Sequence, residues 1–87
     1  MNHMKIAHLA KNQTELIYEN GTRIFFSYQT PVAAYITGRG WIKTSHRYSV
    51  TTSRHLNRWL SENGAFELAE QVHQSELDRL AENGGAL

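Results

Sequence analysis

The sequence predicts an α+β fold: an antiparallel sheet of about four to five strands, followed by one or two helices packed on one face. Three observations point to it. Runs rich in β-branched and aromatic residues fill most of the chain up to Val50. Turn signals built on Asn-Gly and on paired glycines separate those runs. Apolar residues at helical spacing appear only beyond the hydroxyl cluster Thr51, Thr52 and Ser53.

Each element follows from its residues. KIAHLA (Lys5 to Ala10) alternates and reads as a first strand, ended by the polar turn KNQ. TELIYE (Thr14 to Glu19) is the second. Asn20-Gly21 then predicts a type I′ hairpin turn, which needs positive φ at both central residues. TRIFFSY (Thr22 to Tyr28) returns as the third strand. Pro31 interrupts, having no N–H to give a ladder, and VAAYI (Val32 to Ile36) resumes. After TGRG, the run WIKTSHRYSV (Trp41 to Val50) reads as one more strand. Its alternation puts Trp41, Lys43, Ser45, Arg47 and Ser49 on one face.

A helix is predicted over about 52–63. Thr51, Thr52 and Ser53 mark its start, Leu56, Trp59 and Leu60 line one face, and Asn63-Gly64 closes it. The following segment, about 66–82, fits either one helix or a short extended piece and a final helix capped by Ser75. The second form is preferred, with Gly84 and Gly85 fraying at the end.

The 87 residues make a single small domain, 1–87. The absence of cysteine excludes a disulfide framework, a thiolate metal site and a thiol nucleophile, and it suits a reducing, cytoplasmic setting. No apolar run reaches the length of a membrane span, and no signal-peptide block opens the chain. A soluble protein is expected, with no membrane partner and self-association left open.

A net charge of +1 hides a division. Arg39, Lys43, Arg47, Arg54 and Arg58 stand in a stretch without a single acid, whereas Glu62, Glu67, Glu70, Glu76, Asp78 and Glu82 follow against Arg79 alone. Such a split marks either a partner-binding face or two halves that neutralise each other. On a helical wheel Arg54 and Arg58 lie opposite Leu56, Trp59 and Leu60. Arg54 in a first turn opposes the helix dipole, mildly. Together with Thr51, Thr52, Ser53 and free N–H groups, it suggests an anion site. The plainer alternatives are a solvated helix face, or acids from the tail folding back on both arginines. Arg54, Arg58, Arg47, Lys43, Trp41 and Arg39 are therefore the expected partner contacts, with aromatic and arginine side chains suited to a protein interface.

Chemistry is not advertised. The five histidines lack metal-ligand spacing, and Ser53 and His55 point in different directions. TGRG is no Walker loop. No catalytic residue, metal or cofactor is expected, and His55 is placed on the flank of Trp59.

The segments Ser27-Tyr28-x-Thr30-Pro31-Val32-Ala33 and Tyr48-Ser49-x-Thr51-Thr52-Ser53-x-His55-Leu56-Asn57-x-Trp59-Leu60 carry a resemblance. They resemble a family of short proteins of bacteriophages, plasmids and related mobile elements. Its pattern has Ile where this chain has Leu56, and proline where it has His73. The family has no assigned activity, so no residue role follows from it. The resemblance implies a small accessory protein that binds a host or element macromolecule, inhibition of host immune complexes such as CRISPR effectors included. The expected partner is accordingly a host protein or protein–nucleic-acid complex. The alternative is a nucleic-acid binder using the basic 39–58 face.

Overall fold

The computed structural model describes residues 4–85. Six strands form one sheet in chain order: β1 (Met4–Ala10), β2 (Gln13–Tyr18), β3 (Arg23–Ser27), β4 (Thr30–Ile36), β5 (Gly40–Thr44) and β6 (Glu70–Val72). The first five are an antiparallel meander, and β6 joins β5 in parallel. Parallel neighbours need a long crossover. Helix α1 (Val50–Glu62) supplies it, and α2 (Gln74–Glu82) follows β6. The α+β class and the mostly antiparallel sheet are those the sequence predicts, with β6 as an extra strand.

The helices do not share a face. Neighbouring residues on a strand point to opposite sides, and the core divides accordingly. Phe25, Val32, Ala33, Trp59, Leu60 and Ala65 form one buried cluster under α1. Ile24, Ala34, Ile42, Val72, Leu77 and Leu80 form the other, under α2. Strands β3 to β5 are therefore apolar on both sides, as RIFF and VAAYI require. The placement of both helices on one side is corrected for this reason: each face of the central strands needs its own cover.

Local chemistry sets the ends of elements. Gly21 alone has positive φ (+92°) at the first long hairpin, so the turn is a three-residue loop rather than type I′. Gly21 N–H donates to the Tyr18 carbonyl, and Tyr18 N–H to that of Thr22. Strand β5 stops at Thr44, whose Oγ1 accepts from His46 N–H and turns the chain away. The predicted strand to Val50 is thus too long, and its alternating face ends at Lys43. The helix starts earlier than expected, with Ser49 as the N-cap accepting from Thr52 N–H at 3.1 Å.

Both helices end in the same motif. Gly64 N–H bonds the Ser61 carbonyl and Ala65 N–H that of Leu60; Gly84 and Gly85 do the same to Ala81 and Leu80. These are Schellman closures, with glycine at the left-handed position after an asparagine cap. Gly85 packs against the Tyr18 ring so closely that an added Cβ would meet it at 2.6 Å. The expected fraying of Gly84 and Gly85 gives way to this contact. In the tail, the extended piece plus helix holds, but His73 rather than Ser75 is the cap, accepting from Ser75 N–H.

Candidate functional site

Two polar networks fix α1 on the sheet and so decide what it shows to solvent. The first centres on Glu15, buried in β2. Its carboxylate accepts from Arg23 Nε and, at 3.2 Å, from Trp59 Nε1. Arg23 also donates to Asn63 Oδ1 at 2.8 Å and lies over the rings of Trp41 and Trp59, 5.5 and 5.6 Å from their centroids. Trp59 stacks on Phe25 at 5.2 Å and meets Trp41 edge-on at 5.4 Å. Trp41 is consequently half-buried under α1, not an exposed contact.

The second network joins Ser27 of β3 to the start of α1. Ser27 Oγ lies 2.8 Å from His55 Nδ1 and donates to Thr52 Oγ1 at 3.1 Å. Ser49 Oγ donates to the same Thr52 oxygen. His55 is therefore held by Ser27 and lies beneath the Tyr28 ring (5.9 Å), not beside Trp59. A serine and histidine at 2.8 Å invite a catalytic reading. Ser27 is only 1% exposed and bonds Thr52 as well as His55, so the pair joins helix to sheet.

The expected contacts divide. Arg54 is exposed and makes no ion pair among the described residues, and Arg47 likewise stands free on the loop before α1. Arg58 has a long contact of 3.7 Å to Glu62 on its own helix, both side chains exposed. Tail acids do fold back, but onto Arg39, which bonds Glu76 and lies 3.6 Å from Glu70. That hydrogen bond to Glu76 holds the Arg39 guanidinium still more firmly protonated. Lys43 sits over the Phe66 ring at 5.8 Å. Arg39, Lys43 and Trp41 are thus engaged within the molecule.

The expected anion cradle is not assembled. Thr52 is buried, and its N–H goes to Ser49; Ser53 N–H goes to the Ser49 carbonyl. Arg54 is the fifth residue of α1, past the first turn where the dipole acts, so its penalty largely disappears. Among the described residues no group of histidines and acids could hold a metal ion.

Sequence reasoning counts Tyr28 among the aromatic residues that would suit an interface if exposed, but places it at the end of a strand and misses its turn. It occupies the first position of the two-residue β3–β4 turn at φ +58°, a left-handed conformation that tyrosine adopts rarely. Its ring is 50% exposed. Val50, at the first helical position, is 70% exposed. The available signal was the pairing of Ser27-Tyr28 with His55 in the two quoted segments.

The stretch from β1 into α2, residues 4–79, matches the model of a family of unknown function, DUF8033. The chain belongs to that family. Tyr28, His55 and Arg54 all lie within the matched DUF8033 region. No curated protein and no solved structure gives a significant match. No helix is long and apolar enough to cross a membrane among the described residues.

Proposed function

We propose that this chain is a non-enzymatic binding module. It docks on a protein or protein–nucleic-acid complex through the outer face of α1 and the β3–β4 turn. Arg54 and Arg47 supply unpaired guanidinium groups, Val50 and Tyr28 supply apolar and aromatic area, and Arg58 lies a turn further along. The carrying observation is Tyr28. A left-handed tyrosine costs about 1–3 kcal/mol of backbone strain, yet glycine or asparagine would make the same turn more easily. A fold that keeps a half-exposed ring there, beside Arg54's neighbour His55, is presenting it.

The resemblance to mobile-element proteins supplies the setting for this reading: a cytoplasmic accessory protein whose target is a host complex, a defence complex of the CRISPR type being the candidate. A protein-centred contact is favoured over phosphate binding because the basic 39–58 stretch is not one continuous free face. Arg39 is neutralised by Glu70 and Glu76, and Lys43 is stacked on Phe66.

The experiment is a pull-down from host lysate, with and without nuclease, comparing wild type with Arg54→Ala and Tyr28→Asn. A nuclease-resistant partner retained by wild type and lost by both variants supports the reading. Capture abolished by nuclease, with steep salt dependence, would transfer it to nucleic acid. Equal capture by all three would remove this surface.

A further inference from the structure

The sheet has two edges, and they differ. β6 is three residues long, whereas β1 presents seven residues whose outer side pairs with nothing among the described residues. Long open edges are normally blunted by proline, charged side chains (lysine above all) or bulges. β1 has no proline and no acid; Lys5 is its one lysine or arginine, and its irregularity falls at Leu9, towards one end, which leaves Met4 to His8 in regular register.

The side chains along this edge are also unusual. On the α2 side, cross-strand partners form an apolar row running Ile42, Ala34, Ile24, Leu16, Ile6. Helix α2 covers the inner part, and Ile42, Ala34 and Ile24 are fully buried. The row then runs out into solvent at Ile6, 57% exposed, with Met4 on the same face at 46%.

We infer that β1 pairs with β1 of a second copy of this chain, antiparallel about a two-fold axis at Ile6, joining two sheets into one. A two-fold axis perpendicular to the sheet keeps each face on its own side. The apolar row therefore continues through Ile6 of one copy to Ile6, Leu16 and Ile24 of the other. The same register sets Lys5 opposite Ala7 and Met4 opposite His8. No like charges face each other, which is the condition for a stable antiparallel pair. The chain's own β1 supplies the apolar residue that continues the row, Ile6, and places uncharged side chains, Ala7 and Met4, opposite Lys5 and His8. Seven residues span roughly 23 Å, and one strand edge buries less than the ~800 Å² per side of a standard interface. The association is accordingly of moderate strength and concentration-dependent. It is separate from the α1 surface, and either can fail without the other.

The natural absence of cysteine makes the register directly testable. Directly opposed residues of an antiparallel pair have Cα atoms about 4.5–5.5 Å apart, within disulfide reach. Ile6→Cys should cross-link into a covalent dimer under mild oxidation, whereas Lys5→Cys, opposed to Ala7, should cross-link at least tenfold more slowly. Light scattering of the unmodified chain from about 10 μM to 1 mM, the range of affinities such an edge supports, should show a monomer–dimer shift that Ile6→Lys abolishes with its circular dichroism unchanged. A wild-type chain that stays monomeric throughout overturns the proposal. So does equal cross-linking of the two cysteine variants, which would report collision rather than register.

Discussion

Ser27 Oγ on β3 and His55 Nδ1 on α1 lie 2.8 Å apart, and the bond is one of two Ser27 side-chain contacts that seat the first turns of α1 on the sheet. Ser27→Ala leaves both partners short of a hydrogen bond at a buried site. The expected loss is about 1–3 kcal/mol, read from the urea midpoint at unchanged slope.

Trp59 combines packing and a hydrogen bond to a buried acid. Trp59→Ala should lose about 3–5 kcal/mol through the cavity it leaves, enough to unfold a domain of this size. Trp59→Phe retains the stack on Phe25 but removes the donor to Glu15. It should lose a smaller amount, roughly 1–3 kcal/mol. Denaturant titration of both variants separates the two contributions.

Tyr28 should show the opposite sign. Tyr28→Gly relieves the left-handed strain and partly offsets that with the entropy of a freer unfolded chain. Stability should hold or rise by up to about 1 kcal/mol while partner capture falls. A melting temperature that drops well below wild type would show the ring to be structural.

Arg39, in the turn between β4 and β5, fastens that turn to β6 and α2 through Glu70 and Glu76. All three side chains are about a third or more exposed, so solvent weakens the pairing. Arg39→Ala should cost about 0.5–1 kcal/mol. The difference from wild type should shrink as salt rises toward 1 M, which thermal melts in graded sodium chloride would measure.

Alkaline pH provides a further check. Burial raises the pKa of Tyr18 above its ordinary value, and burial, aided by the Asp78 carboxylate, raises that of Tyr48. The native state therefore keeps these protons after the unfolded chain begins to lose them, near pH 10. Their contribution is intact below that pH and is lost as pH climbs through the higher native values. Stability should fall above about pH 10, and Tyr18→Phe should flatten the fall.

Much of this fold could be read from local residues. Asn20-Gly21 placed a hairpin, Asn63-Gly64 ended a helix, and the break near His73 separated β6 from α2. Each rests on backbone demands a few residues satisfy alone. What could not be read depends on distant partners. Glu15 in TELIYE looks like an ordinary solvent-facing acid until Trp59, 44 residues away, donates to it. WIKTSHRYSV alternates well past Thr44, but only Thr44's own hydroxyl and the cap at Ser49 reveal where the strand gives way. Arg54 and Arg58 were legible as outward-facing because a helical wheel suffices. Tyr28's backbone conformation was not, since no tyrosine signals a left-handed turn.

The crossover through α1 also bears on how the molecule is made. During synthesis the meander of β1 to β5 leaves the ribosome with neither side shielded. α1 can then cover one side, but Val72, Leu77 and Leu80, which shield the other, come last. A chain cut after Asn63 would display Ile24, Ala34 and Ile42 to any chaperone within reach, so emergence of the stretch through Leu80 is what shields this side from aggregation.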